Sequence, residues 1–96
     1  MIDDESIRKL RNQVDLVDTE LIKLLAKRRD LTIEIGKIKK RKNIPIMDGE
    51  RRGEVLDRIR KEAKKHGLDE KKAEDFWGCI IDCAIKEQEK LVFTND

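Results

Sequence analysis

The sequence predicts an all-α fold of three helices, one of them very long, with a second copy of the chain in an antiparallel homodimer. Three observations predict it. From Ile7 the apolar residues step through Leu10, Val14, Val17, Leu21 and Leu24, then Leu31, Ile35 and Ile38, at alternating spacings of three and four. That is the seam of one long helix. No stretch alternates apolar with polar residues as a half-buried strand does, and no repeat or low-complexity linker interrupts the chain. Finally, the 96 residues are 38% hydrophobic and 46% charged, with one Trp, two Phe and no Tyr, too little apolar material for a monomeric core.

The first helix is expected from about Asp3 to about Lys42. Asp3, Asp4 and Glu5 suit its positive end, the lysines from Lys37 to Lys42 suit its negative end, and Asn43 and Pro45 stop it. At the α-helical rise it is roughly 57 Å long. A second helix, about 49–66, is capped by Asp48 and turns Val55, Leu56, Ile59 and Ala63 inward. Gly67 ends it in the left-handed conformation and Asp69 caps the third helix, about 70–92. That helix is expected to bury Ala73, Phe76, Trp77, Ile80, Ile81, Ala84 and Ile85. The whole, 1–96, reads as a single domain. Each later helix is roughly 27 to 35 Å long, so neither alone covers the seam of the first. A two-fold partner with its long helix antiparallel supplies the remaining cover. Gly36 and Gly78, inside helical patterns, mark either close backbone approaches or simple weak points.

A formal charge of +2 gives no global field that would attract nucleic acid or a membrane surface. No apolar run approaches the roughly 20 residues that span a bilayer, and no signal peptide precedes Ile7, so a cytoplasmic protein is expected. Cys79 and Cys83, four apart on a helix, are poorly placed for a disulfide and are expected as buried free thiols. With His66 the only histidine, no metal site and no cofactor is expected.

Arg28 occupies the seam position between Leu24 and Leu31. A guanidinium there is costly unless an anion meets it. Lys39, close to three full turns further on, projects from nearly the same face, and the two cations suggest an enclosed site for an anionic ligand. Arg11 lies seventeen residues before Arg28, roughly 25 Å along the axis and about 100° around it. One helix cannot bring both to one small molecule, but an antiparallel partner can bring Arg11 of one chain to Arg28 and Lys39 of the other. Gln88 ends the apolar stripe of Trp77, Ile81 and Ala84, where its amide either makes a buried structural bond or donates to a ligand oxygen. Arg51 and Arg52 in the first turn of the second helix oppose its dipole, a conflict that a nearby anion relieves.

These landmarks, LRNQVDLVD with Arg11, AKRRDL with Arg28, IGKIKK with Lys39, IPIMDGERR with Asp48 and Arg51, HGLD, and CIIDCAIKEQ with Gln88, resemble the all-helical class of chorismate mutase over about residues 5–90. The resemblance implies an intertwined dimer that converts chorismate to prephenate on the way to phenylalanine and tyrosine. It implies that Arg28 holds one substrate carboxylate and Arg11 of the partner chain the other, while Lys39 and Gln88 donate to the ether oxygen of the breaking bond. Asp48 helps place the ring hydroxyl through its backbone, and Arg51 supports the site electrostatically. Such a rearrangement is intramolecular and needs no nucleophile, metal or general base. It needs a cage that fixes the folded conformer and donors aimed at the ether oxygen.

Two positions depart from the pattern. Arg52 stands where the family often has a glutamate that accepts from the ring hydroxyl, which a guanidinium cannot do. Ala84 stands where relatives can carry a serine near a substrate carboxylate. Both predict weaker substrate binding more than a slower chemical step, and Gly49 and Gly53 loosen the same turn. Three rival readings follow: isochorismate-pyruvate lyase on the same fold, a mutase scaffold without activity, and a non-catalytic helical module binding phosphates through Lys37, Lys39, Lys40, Arg41 and Lys42. No attached dehydratase, dehydrogenase or synthase segment is apparent, so a free-standing enzyme is expected.

Overall fold

A computed structural model describes residues 4–94. Three helices follow one another: α1 (Asp4–Arg41), α2 (Gly49–Lys65) and α3 (Glu70–Thr94). Their ends lie within two residues of the sequence expectation, except that Asp3, the expected start of α1, lies outside the described residues.

The stops are set by backbone chemistry. Asn43 takes a positive φ of 54°, its N–H donates to the Lys40 carbonyl at 3.3 Å, and the Ile44 N–H donates to the Lys39 carbonyl at 2.8 Å. Gly67, at φ 71°, repeats the arrangement, with Gly67 N–H to Lys64 at 3.2 Å and Leu68 N–H to Ala63 at 2.8 Å. Both are Schellman stops, in which a left-handed residue turns the chain back onto the last carbonyls. The starts are side-chain caps: the Asp48 carboxylate accepts from Arg51 N–H at 3.1 Å, and the Asp69 carboxylate from Lys72 N–H at 2.9 Å.

The chain forms two compact units, 1–31 and 32–96. In the first, over its described residues 4–31, every residue is exposed except Arg28, which is half-buried. The seam itself stands open: Leu10, Val14, Leu21, Leu24 and Leu31 are each more than half exposed. Ion pairs such as Arg8–Glu5 at 2.8 Å and Lys23–Glu20 at 3.4 Å decorate this helix and contribute little.

The second unit holds the core. Val55, Ile59 and Ala63 of α2 meet Ala73 and Ile81 of α3, with Leu56, Trp77 and Ile85 packed around them. Arg52 pairs with Asp82 and Arg60 with Glu74, so sequence numbers fall on α3 as they rise on α2, and the two helices are antiparallel. The last part of α1 meets α3 differently. Thr32 contacts Gln88, Gly36 contacts Gln88 and Leu91, and Lys40 contacts Leu91, so these segments run in the same direction. No described side chain is completely shielded from solvent, which makes this a thin core for its length.

Three expectations on α3 are corrected. Phe76 is 68% exposed, and Cys79 and Cys83 are free but exposed rather than buried. The inward stripe is Ala73, Trp77, Ile81, Ala84 and Gln88. At about 100° per residue, Phe76 turns away from Trp77, Cys79 lies about 160° from the centre of the stripe, and Cys83, one step before Ala84, lies about 120° from it. Of the two glycine positions, Gly36 is a close approach, whereas a side chain at Gly78 would meet only the Arg52 guanidinium at an ordinary 3.6 Å. Among the described residues no helix is long and apolar enough to cross a membrane.

Because α3 begins on a single side-chain cap, Asp69→Ala lowers the unfolding free energy by about 1 kcal/mol. Urea denaturation followed by circular dichroism checks this, and Asp69→Asn, which still caps, loses far less.

Candidate active site

The second unit carries most of the expected site residues. Lys39, on the last turn of α1, is half-buried, and its ammonium donates to the Ile46 carbonyl at 3.0 Å. This bond crosses the connector between α1 and α2 and uses one of the three ammonium hydrogens. Gln88 is buried on α3, and its Nε2 donates to the Thr32 carbonyl of α1 at 2.6 Å. Both alternatives weighed for Gln88 remain compatible with this bond, since the amide has a second N–H to offer.

Asp48, exposed before α2, spends its carboxylate on the cap, and its carbonyl accepts from Arg52 N–H at 3.0 Å. Arg51 is exposed in the same turn, where its N–H is the donor that the cap satisfies. Arg52 is half-buried, and its Nη1 meets Asp82 Oδ1 of α3 at 2.7 Å. The conflict between this arginine and the helix dipole is therefore relieved by the chain's own carboxylate. Ala84, half-buried, shares the stripe that ends at Gln88.

The first unit carries Arg11, exposed, and Arg28, half-buried. Within that unit, seventeen residues of one helix separate them, which keeps them apart as the sequence required.

The basic cluster at the end of α1 is less available than its composition suggests. Lys37 pairs with Glu34 at 3.3 Å, Lys39 holds the Ile46 carbonyl, and Lys40 donates to the Leu91 carbonyl at 2.9 Å. Lys39 and Lys40 fasten the end of α1 to the connector and to α3, while Lys37 pairs within the helix. Among the described residues no group of three or more His, Cys, Asp or Glu side chains is placed to hold a metal ion.

Sequence reasoning missed three groups: Asp82 as the partner of Arg52, and the Thr32 and Ile46 carbonyls that seat Gln88 and Lys39. A main-chain carbonyl leaves no trace in a residue pattern. Asp82, on a polar face of α3, looks like any solvated acid until the two helices are folded together.

Chemically, the arrangement offers cations and neutral donors and no paired acid and base or activated nucleophile among these residues. It suits a reaction assisted by fixed positive charge rather than by proton transfer.

Comparison with known proteins agrees. The profile of the family described as chorismate mutase type II matches residues 10–89. A chorismate mutase of Methanocaldococcus jannaschii is 39% identical over 66 residues, covering 69% of this chain and 67% of that protein. The T-protein of Haemophilus influenzae is 39% identical over 71 residues, 74% of this chain but 19% of its own length. A bifunctional chorismate mutase/prephenate dehydratase of Escherichia coli is 30% identical over 92 residues, 96% of this chain and 24% of its own. The chain thus spans about a fifth to a quarter of these two longer relatives. With the family pattern matched from α1 to α3, the chain belongs to the type II chorismate mutases.

Proposed function

We propose that this chain is an isomerase that converts chorismate to prephenate by an intramolecular Claisen rearrangement, in sites built from two copies of the chain. The observation that carries this reading is the seating of Lys39 and Gln88. Each is held at its polar end by a main-chain carbonyl, of Ile46 and Thr32 respectively, and each keeps at least one hydrogen to donate. Donors fixed before the substrate arrives need no reorganisation as charge develops, which is what an ether oxygen gaining electron density requires. Arg28 takes one substrate carboxylate and Arg11 of the second copy the other. Asp48 and Arg51 bound the ring-hydroxyl end. Arg52 acts on that end from its bridge to Asp82, and Ala84 leaves room where a hydroxyl would contact the substrate.

The second copy is supported by the open seam of α1. A row of exposed Leu and Val side chains along one face, from Leu10 to Leu31, is the kind of surface that an isologous helix contact covers. Antiparallel pairing about a two-fold axis generates two equivalent sites, each drawing Arg11 from one chain and Arg28 and Lys39 from the other. No metal, cofactor or nucleic acid enters this scheme, and the free thiols agree with a cytoplasmic setting.

Purified protein offered chorismate consumes it with loss of its ultraviolet absorbance. Release of pyruvate from isochorismate faster than chorismate is consumed would instead assign the lyase reaction. Lys39→Ala raises the mutase barrier by about 3 to 4 kcal/mol, the scale for losing one donor to a developing oxyanion, and this is read from kcat. Mixing inactive Arg11→Ala chains with inactive Arg28→Ala chains restores activity, because a mixed dimer contains one site with neither substitution. Sedimentation shows a dimer. No rescue on mixing would mean that each site belongs to one chain.

A further inference from the structure

Gly36 is the one buried residue of α1, in the middle of a helix where alanine is the better helix former. Its surroundings supply a reason. A Cβ at this position would lie 3.0 Å from Gln88 Cγ, 3.3 Å from Gln88 Cβ and 3.5 Å from Leu91 Cδ1. The crowded atoms are the stem of the glutamine, next to the α3 backbone, so they cannot swing aside as a flexible tip does.

The acceptor of the Gln88 amide makes the placement specific. Thr32 is one helical turn before Gly36, so the Thr32 carbonyl is the one to which the Gly36 N–H donates within the helix. A helical side chain lies back over the turn that precedes it, and at position 36 it would cover that carbonyl. With glycine there, the carbonyl stays open to a second donor, and Gln88 Nε2 reaches it at 2.6 Å. A carbonyl accepts only from the nitrogen end of the amide, so this bond also fixes which end of Gln88 faces α1.

We infer that Gly36 is a positioning residue for the reaction: its missing side chain lets the Gln88 stem pack against α1 and uncovers the Thr32 carbonyl, which together set the direction of the second Gln88 N–H. The inference rests on the reading above that this N–H serves the ether oxygen. Gly36 touches no reacting atom and acts through Gln88 alone.

A double-mutant cycle tests it on the full chain, with kcat and KM for chorismate measured on wild type, Gly36→Ala, Gln88→Ala and the double variant. Gly36→Ala lowers kcat and kcat/KM together by about tenfold or more, the signature of a misplaced transition-state contact. In the Gln88→Ala background, where the closest atom Cγ and the amide are gone and only Cβ remains, the same substitution costs no further activity. Losses that multiply, or a Gly36→Ala enzyme with wild-type kcat, overturn the inference. Impaired folding of Gly36→Ala supports the packing if the double variant recovers the melting temperature, and overturns it if it does not. A second readout needs no turnover: the side-chain amide resonance of Gln88 in nitrogen-15-labelled protein moves on Gly36→Ala, and an unmoved resonance overturns the inference. If wild type fails to consume chorismate, the proposed function falls by itself, while this resonance still decides whether Gly36 positions Gln88.

Discussion

Apolar burial is the scarce quantity in this chain, and the rest of the structure is arranged around that scarcity. What core there is lies between α2 and α3, made by five small or medium residues with Leu56, Trp77 and Ile85 at its edge. The apolar seam of α1 is left in the open. In proteins most helical stability comes from packing an apolar face rather than from propensity, and α1 leaves that face uncovered. In the proposed dimer that cover comes from the second copy, so folding, assembly and construction of the site become one event.

The same economy explains how polar groups are used. Lys39, Lys40 and Gln88 each reach a main-chain carbonyl across a gap between elements, and thereby do structural work that bulky apolar contacts do elsewhere. A charged or amide donor bound in this way loses rotamer freedom on folding rather than on binding. For an electrostatic catalyst that timing is useful, because the cost of ordering the donor is already met when the substrate enters. Arg52 shows the other side of this arrangement. Its guanidinium joins α2 to α3 through Asp82, and in the proposed site it would add positive charge where a carboxylate would add an acceptor.

Much of the scaffold was legible in the residues because helix limits are local chemistry. Asn43 and Gly67 are types that accept a left-handed backbone, and Asp48 and Asp69 are types that cap, so the ends could be placed from spacing alone. The inward face of α2 followed from its period. On α3 the inward stripe is narrower than its apolar content suggests. Phe76 is apolar, yet one step from Trp77 carries it off the stripe, and the cysteines, though of a type often buried, stand at angles that leave them in solvent. The candidate site was legible as a set of cations and one amide out of place in apolar patterns. What holds them was not legible, because carbonyl acceptors and partners thirty or more residues away appear only once the helices are assembled.

The bond from Lys39 to Ile46 has an evolutionary corollary. It fixes the arc of backbone between α1 and α2, so an inserted or deleted residue there would carry the carbonyl out of the lysine's reach. Across the bend at Gly67 the corresponding tie, from Arg52 to Asp82, joins the bodies of α2 and α3 well away from the bend and does not hold the backbone of the bend itself. Length variation among descendants of this sequence should therefore gather at the second bend and spare the first.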